Sequence, residues 1–269
     1  MNFKRNNTIL KSTINQEGIL RLTLNNPNNH NVLSEEMIEN IQLTLDEAKN
    51  DKKTRVIIIS AEGHTFSAGH DLKELKSARK NPDKGKDYFK KIMIKCSKMM
   101  KSIVKNPKPV IAEVSGVATA AGCQLVASCD LAYAGPLAKF ATPGVNIGLF
   151  CSTPMVALSR NISNKHSMEM LLTGDLISSD KAAKIGLINE TVSSDSLQNF
   201  VLEKALKISK KSSMTIKIGK EAFYNQIDMS LSEAYDYASN VMVENMLKFD
   251  AEEGIDAFIN KRKPKWQDK

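Results

Sequence analysis

The chain has 269 residues, a formal net charge of +8, 42% hydrophobic and 25% charged residues. This composition is ordinary for a globular protein, and no apolar run reaches the ~18 residues that a membrane-spanning helix needs. Residues 1–11 lack the apolar core of a signal peptide, so we expect no cleaved targeting segment. The four cysteines show no CxxC spacing and no metal-like histidine partner, which predicts reduced, buried thiols and no metal. They favour a cytoplasmic protein, or one of the mitochondrial matrix if the source is eukaryotic.

The first predicted elements are a strand, a turn, a helix and a second strand. Residues 18–24 alternate apolar and polar side chains, as in a half-buried strand, and residues 25–29 predict a turn. Ser34, followed by two glutamates, predicts a capped helix start. Residues 55–60 are a short apolar run typical of a buried strand. The helix should bury a stripe made of Met37, Ile38, Ile41, Leu45 and Ala48.

The segment 71–110 concentrates positive charge, with twelve lysines and one arginine against four carboxylates. Residues 78–86 predict a mobile loop, a helical apolar spacing begins at Asp87, and residues 110–114 predict the next strand. The charge fits either a solvated helix face or a surface that attracts a polyanionic ligand, and both interpretations stay open. We do not expect nucleic-acid binding, because the segment lacks a recognition motif and interleaved exposed aromatic residues.

Two strand-to-helix turns hold the most informative residues. The first is Phe-Ser-Ala-Gly-His-Asp-Leu at Phe66–Leu72, and the second is the run of small residues at Ala118–Gln124. Each follows an apolar strand and begins a helix, where free N–H groups attract negative charge. The two turns together are suited to gripping one carbonyl oxygen.

The rest of the chain indicates a layered α/β core followed by helices. Strand, turn and helix recur at roughly 50–60 residues, which favours stacked β-β-α turns, and no GxGxxG or phosphate-loop motif occurs. After Met168 the sequence is mostly helical, and Ser230–Glu233 predicts a capping box. The helix behind it has an apolar stripe that must be covered. We therefore divide the chain into a core at 1–200 and a C-terminal helical region at 201–269.

Short motifs along the chain add a pattern that covers almost its whole length. They are Leu24–Pro27, Asn31–Leu33, Val56–Ser60, Lys108–Ala112, Gly122–Leu125, Cys129–Ala132, Leu172–Gly174, Ile177–Ser179, Ala182–Ile188 and Ala257–Arg262. In this order and spacing they resemble the crotonase superfamily of enoyl-CoA hydratases and isomerases. Ser67–Lys73 and Ala141–Asn146 further resemble its divergent subgroup of enoyl-CoA hydratase domain-containing proteins.

The resemblance implies a fold, an activity and an assembly. The fold would be an α/β spiral of repeated β-β-α turns with a C-terminal helical trimerisation region. The activity would be that of a lyase or isomerase of fatty acid metabolism acting on acyl-CoA or enoyl-CoA thioesters. Coenzyme A would enter as part of the substrate, with no permanently bound cofactor. The assembly would be a homotrimer or a hexamer made of two trimers, without a membrane partner.

The resemblance also assigns the reacting positions. The backbone N–H groups of His70 and Ala121 would form the oxyanion hole, and a methyl group at 121 is tolerable if the backbone there avoids positive φ. The two glutamates of typical hydratases correspond to Gln124 and Gly144, neither of which exchanges a proton, and no carboxylate lies between 130 and 169. The hydratase activity should be weak or altered, or the chain is a non-catalytic acyl-CoA-binding or regulatory subunit.

The remaining candidates leave several alternatives open. The His70 ring is either a base in the site, or it only shapes the turn or points toward Asp71 or solvent. Cys123 and Cys151 are possible nucleophiles, although burial fits them better. Asn28 and Asn29 also fit a plain polar turn, and Phe258 also fits core packing. The resemblance implies a coenzyme A site made of Asn28, Asn29, Asn31, Ala68, Asp71, Leu72, Lys73, Phe258 and Lys261.

Overall fold

The computed structural model describes residues 9–269, so most of the N-terminal segment expected to lack a signal peptide lies outside it. Within this range the strands are β1 (Leu10–Ile14), β2 (Ile19–Leu24), β3 (Val56–Ala61), β4 (Thr65–Ser67), β5 (Val110–Val114), β6 (Val117–Thr119), β7 (Leu131–Ala134), β8 (Lys139–Ala141), β9 (Ile177–Ser178) and β10 (Glu190–Thr191). The helices are α1 (Glu35–Asn50), α2 (Leu72–Ala78), α3 (Lys86–Val104), α4 (Ala121–Ser128), α5 (Pro154–Leu158), α6 (Asn164–Thr173), α7 (Ser179–Ile185), α8 (Leu197–Ser209), α9 (Ser213–Gln226), α10 (Leu231–Met246) and α11 (Phe249–Ile259). Short 3-10 helices occupy Pro27–Asn29 and Pro143–Ile147.

The strands form two sheets, and from β3 to β8 consecutive strands alternate between them. The larger sheet has the order β1-β2-β3-β5-β7-β10 and the smaller has the order β4-β6-β8-β9. The pairs β3/β4, β5/β6 and β7/β8 each place their first strand in the larger sheet and their second in the smaller, and helices follow each pair. The strands β4, β6 and β8 run parallel, so their carboxyl ends meet at one edge. This arrangement is the predicted spiral of β-β-α turns.

The predicted repeat length is correct only for the first interval. From Val56 to Val110 the repeat takes 54 residues, whereas from Val110 to Leu131 it takes 21. The difference comes from the helices, because α2 and the 19-residue α3 fill the first interval and the eight-residue α4 fills the second. The β-β-α unit was therefore predicted correctly, but it does not recur at a regular interval along the sequence.

The central strands β3 and β5 of the larger sheet are buried on both faces, which explains the uninterrupted apolar run of β3. On one face Ile57 and Ile59 pack in the main core, which also contains the predicted stripe of α1. On the other face Val56 and Ile58 pack with Val201 of α8. The predicted cap is also confirmed, because the Ser34 side chain accepts a hydrogen bond from the Met37 N–H. The predicted boundary after residue 200 lies inside α8, and the division into two regions stays a prediction.

The C-terminal helices are joined to the core by a partly buried ion pair. Lys220 Nζ of α9 lies 2.6 Å from Asp130 Oδ2, and Tyr224 donates to Asp130 Oδ1 at 2.9 Å. Burial lowers the pKa of Lys220 and raises that of Tyr224, while the Asp130 carboxylate opposes the first shift and reinforces the second. The main-chain N–H of Val110 also donates to Asp130, so one carboxylate ties α9 to the start of β5.

Large apolar side chains on the C-terminal helices remain uncovered. Neither α9 nor α10 buries a residue, although the predicted capping box at the start of α10 is present. Tyr235 is 69% exposed, Met242 59%, and Leu247 75%. Phe258 is 85% exposed, which excludes the core-packing interpretation of this residue in the single chain. Within the predicted stripe of α10, Ala234, Tyr237 and Val241 are half-buried whereas Ala238, Met242 and Met246 are exposed, so the described part of the chain covers the stripe only in part.

Three further expectations concern thiols, charge and membranes. All four cysteines are free and buried, as predicted. In the basic segment, Lys91 and Lys95 form ion pairs with Glu35, while most of its other lysines are exposed. The predicted loop is a turn at 79–85, and its mobility stays a prediction. Across residues 9–269 no helix combines the length and apolarity needed to cross a membrane.

Candidate active site

The first turn leaves one N–H group unpaired. After β4, the Ala68 N–H donates to the carbonyl of His30 at 3.1 Å, and the Gly69 N–H donates to Ser67 Oγ at 3.3 Å. Asp71 caps α2 by accepting from the Lys73 N–H at 2.7 Å. The His70 N–H has no acceptor among the described residues. The amide predicted as an oxyanion donor thus stays free, whereas the two N–H groups before it are both bonded.

The second turn offers free N–H groups in a strained backbone. The Ala120 N–H donates to the carbonyl of Ala141 at 2.9 Å, and the Gln124 N–H returns to the Ala120 carbonyl at 3.0 Å. Between them, the N–H of Ala121, like those of the next two residues of α4, has no acceptor in the described structure. Ala121 avoids positive φ, so its methyl group is tolerated. The strain falls instead on Ala120, with φ 50° and ψ −120°.

The two turns contact each other. Ser67 of β4 pairs with Ala118 of β6 in the parallel small sheet, so both turns leave the same edge. A Cβ atom on Gly69 would lie 2.9 Å from the Ala120 Cβ and 3.0 Å from the Ala121 nitrogen. A Cβ atom on Gly122 would lie only 2.1 Å from the carbonyl oxygen of Ser67. These glycines therefore permit a close approach that any side chain would prevent.

The two positions predicted to correspond to the usual glutamates differ in their surroundings. Gln124 is 4% exposed, and its Oε1 has no hydrogen-bond partner in the described structure. Gly144 has no room for a side chain, because a Cβ there would lie 2.7 Å from the Leu149 carbonyl oxygen and 2.9 Å from Cys151 Sγ. The chain therefore offers a side-chain amide at one of these predicted positions and only main chain at the other.

The His70 ring lies inside the protein. Both ring nitrogens are buried and lack hydrogen-bond partners in the described range, which excludes the expectation that the ring points to solvent or bonds to Asp71. Burial lowers the pKa of His70, and the nearby backbone of Leu33 opposes this shift without reaching hydrogen-bond geometry. The ring is therefore neutral at pH 7. Its role as a base or as support for the turn stays a prediction.

The two cysteines near the site are poor nucleophiles. Burial raises the pKa of Cys123 to about 12, with a smaller contribution from Cys151. Burial also raises the pKa of Cys151, and the Gly144 backbone partly offsets that shift. Both groups are thiols rather than thiolates at neutral pH, which agrees with the predicted burial.

Part of the predicted coenzyme A site comes together at the surface. Asn29 Nδ2 donates to Asp71 Oδ2 at 3.2 Å, and Lys73 Nζ lies 3.5 Å from Asn29 Oδ1. Asn28 and Leu72 are exposed beside them. These side chains form a polar rim at the mouth of the first turn, where Ala68 is half-buried.

Three other predicted residues lie elsewhere or have other partners. Asn31 is fully buried; its Oδ1 accepts from the Asn26 N–H, and its Nδ2 donates to two carbonyls. The side chain therefore holds the loop before α1, and the assignment of Asn31 to the ligand stays a prediction. Phe258 and Lys261, at the end of α11, are exposed, and no hydrogen bond of the described residues links them to the two turns.

One polar residue at the site was missed by the sequence interpretation. Thr142, directly after β8, is fully buried, and its hydroxyl has no partner among the described residues. Nothing in a single sequence distinguishes this threonine from a turn residue before proline. Residues 9–269 contain no group of histidine, cysteine or carboxylate side chains able to hold a metal ion.

Comparison with known proteins places this geometry in a family. The sequence model of the family described as enoyl-CoA hydratase/isomerase matches residues 14–269. Enoyl-CoA hydratase domain-containing protein 3, mitochondrial, of Xenopus laevis is 49% identical over 251 residues, which are 93% of this chain and 84% of that protein. The Homo sapiens protein of the same name is 46% identical over 250 residues, covering 93% and 81% respectively.

Solved structures agree with the sequence comparison. The crystal structure of human enoyl Coenzyme A hydratase domain-containing protein 3 superposes with a TM-score of 0.91 at 45% identity, over 96% of this chain and 100% of that one. That of enoyl-CoA hydratase from Mycobacterium smegmatis gives 0.91 at 42% identity, over 96% and 98%. The chain belongs to the enoyl-CoA hydratase/isomerase family of the crotonase superfamily, in its subgroup of enoyl-CoA hydratase domain-containing proteins.

Proposed function

We propose that this protein binds acyl-CoA thioesters and polarises the thioester carbonyl with the backbone N–H groups of His70 and Ala121. One observation carries the proposal: the two turns that bear these groups are in contact, and both N–H groups lack acceptors. Negative charge that develops on a bound thioester oxygen would receive two preorganised hydrogen bonds. One such donor is typically worth about 3–4 kcal/mol in the transition state.

Proton transfer is the weaker half of this site. Water addition to an enoyl thioester needs an acceptor for a proton of the water and a donor for Cα. Gln124 holds a hydrogen bond but exchanges no proton near neutral pH, and Gly144 lacks space for a carboxylate. We therefore propose an enzyme of the hydratase or isomerase type whose hydratase activity is weak or altered. Coenzyme A enters with the substrate, beside Asn29, Asp71 and Lys73.

Infrared difference spectroscopy tests the binding mode directly. Purified protein is mixed with crotonyl-CoA labelled with carbon-13 at the thioester carbonyl. The bound carbonyl stretch should move to lower frequency, because two hydrogen bonds weaken the C=O bond. Tight binding without this shift would refute the oxyanion hole, while the absence of binding would refute the proposed function itself.

A non-catalytic acyl-CoA-binding or regulatory subunit is the second candidate. It is favoured by the crowding at Gly144, where the Leu149 carbonyl oxygen excludes a side chain. Calorimetry and a crotonyl-CoA hydration assay separate the two candidates. Binding without detectable product supports the second, and measurable turnover that falls in Gln124→Ala supports the first. Normal turnover that is unaffected by Gln124→Ala would place the reacting site elsewhere.

We also propose a homotrimer, or two stacked trimers, with the C-terminal helices at the interfaces. The exposed apolar faces of α10 and α11 support this assembly, since patches of this kind usually mark contacts between proteins. Phe258 and Lys261 would then contact coenzyme A bound to a neighbouring subunit. The mitochondrial names of the relatives favour the mitochondrial matrix over the cytoplasm if the source is eukaryotic.

A further inference from the structure

Segment 26–33, which precedes α1, contains an unfavourable backbone conformation. His30 and Asn31 are consecutive residues in the left-handed region, with φ 51° and φ 49°. A side chain disfavours this conformation, although asparagine tolerates it better than most residues, so two such residues in succession persist only where their surroundings enforce them. The contacts of segment 26–33 must therefore hold it in place.

The Asn31 side chain supplies three of these contacts. It is fully buried, and its Oδ1 accepts a hydrogen bond from the Asn26 N–H at 2.7 Å. Its Nδ2 donates to the carbonyl oxygens of Glu62 and Thr65 at 2.9 and 2.6 Å. One side-chain amide therefore closes segment 26–33 on itself and ties it to the connection between β3 and β4.

The same segment holds the first turn. The Ala68 N–H donates to the His30 carbonyl at 3.1 Å, the Leu33 N–H donates to the Gly69 carbonyl at 2.7 Å, and Leu33 and His70 form a parallel β-bridge. The Gly69 carbonyl and the His70 N–H belong to one planar peptide group and point in opposite directions. Glycine itself restricts the rotation of this group little. The hydrogen bond from Leu33 therefore sets the direction of the His70 N–H.

We propose that Asn31 is a positioning residue for the oxyanion hole: through Leu33, it holds the peptide group between Gly69 and His70 with its N–H toward the bound thioester oxygen. This inference rests on the proposed function, and it requires no contact between the Asn31 side chain and the ligand. Loss of the two hydrogen bonds from Asn31 Nδ2 would release the unfavourable backbone of segment 26–33. The peptide group would then sample other orientations, while the Ala121 N–H at the start of α4 would keep its place.

Infrared difference spectroscopy of bound crotonyl-CoA, labelled with carbon-13 at the thioester carbonyl, tests the inference. At saturating ligand the band position reports the geometry of the complex and not its affinity. Asn31→Asp keeps the acceptor for the Asn26 N–H but replaces the donating nitrogen with an oxygen. The matched control is Asn106→Asp, because the Asn106 side chain is also buried and bonds to Leu45 and Lys108 rather than to either turn.

The expected result is a change in the Asn31 variants alone. Asn31→Asp should lose about half of the shift that the carbonyl band shows in the unmodified protein, because one of the two donors is misdirected. Asn106→Asp should retain the full shift. Asn31→Gly is the second variant, since glycine permits the left-handed backbone without any side-chain hydrogen bond, and it should lose a similar part of the shift.

Other outcomes overturn specific statements. A full shift in a folded Asn31 variant, or equal losses in the Asn31 and Asn106 variants, would refute the positioning role and leave Asn31 a structural one. No shift in the unmodified protein would refute the oxyanion hole, and no binding would refute the proposed function. If neither Asn31 variant folds, hydrogen exchange of the unmodified protein decides the matter. The N–H groups of Leu33 and Ala68 should then open together, and independent opening would refute the coupling.

Discussion

The strain at Ala120 predicts that two adjacent alanines respond oppositely to replacement by glycine. Ala120 has the backbone angles of the first central residue of a type II′ turn, a position that usually requires glycine. Ala121 begins α4 and avoids positive φ. We therefore expect Ala120→Gly to maintain or raise the free energy of unfolding and Ala121→Gly to lower it.

The difference between the two variants isolates the strain energy. Both lose one methyl group, worth about 0.8 kcal/mol when fully buried, and both gain backbone freedom in the unfolded chain, worth roughly 0.5–1 kcal/mol. Only Ala120→Gly relieves a backbone conformation that costs about 1–3 kcal/mol for a residue with a side chain. Ala120→Gly should therefore exceed Ala121→Gly in stability by about 1–3 kcal/mol, or about 2–12 °C in melting temperature.

Urea unfolding followed by circular dichroism measures this difference. All proteins are compared at one concentration, because association of subunits would otherwise change the apparent stability. Equal destabilisation by the two substitutions would show that Ala120 stores no strain. A larger loss of stability in Ala120→Gly than in Ala121→Gly would contradict the assignment, because the packing of the Ala120 methyl group would then outweigh the relief of backbone strain.

Further substitutions test other features of the site and of the C-terminal tail. Gly144→Ala should lower the free energy of unfolding by about 1–3 kcal/mol through overpacking, and adding Cys151→Ala should recover part of this loss. If urea unfolding showed that the two substitutions act additively, Gly144 would not be crowded by Cys151. Burial depresses the pKa of His70, so the unfolded chain binds this proton first as pH falls below about 6.5, and the free energy of unfolding should decrease below that pH. His70→Gln should flatten that decrease, whereas His64→Gln, at an exposed position, should not. Asp250→Ala removes the acceptor of two main-chain N–H groups in the tail, so the fluorescence of the single tryptophan should shift at lower urea than in the unmodified protein; an unchanged midpoint would show that the tail is held by other contacts.

The sequence was sufficient for features that depend on local chemistry. The cap at Ser34 and the buried strand β3 followed from residue types and from apolar spacing. The two turns were recognisable because glycine and alanine mark places where backbones approach closely. Their contact depends on the pairing of β4 with β6, which joins residues about 50 positions apart; the matching character of the two turns suggested it, and the family resemblance supported it.

Features set by distant partners could not be predicted from the single sequence. Asn31 seemed available to a ligand in an exposed turn, yet the carbonyls of Glu62 and Thr65 occupy its amide. The sequence raised the question of a positive φ at residue 121, whereas the positive φ occurs one residue earlier, at Ala120, whose N–H donates to the Ala141 carbonyl. Thr142 carries no local sequence signal, because its distinguishing feature is a buried hydroxyl without a hydrogen-bond partner in the described structure.

In the proposed site, binding of the thioester oxygen depends on the backbone and proton transfer depends on side chains. The donor pair at His70 and Ala121 depends on main-chain geometry and on the space left by Gly69 and Gly122, not on any ionisable side chain. In the proposed mechanism, an amide at 124 and main chain at 144 would therefore leave both hydrogen bonds to a thioester oxygen in place while weakening proton transfer. Binding and turnover should thus be separable by substitution: changes at Gly69 should abolish acyl-CoA binding, whereas changes at Gln124 should alter what happens to the bound acyl group.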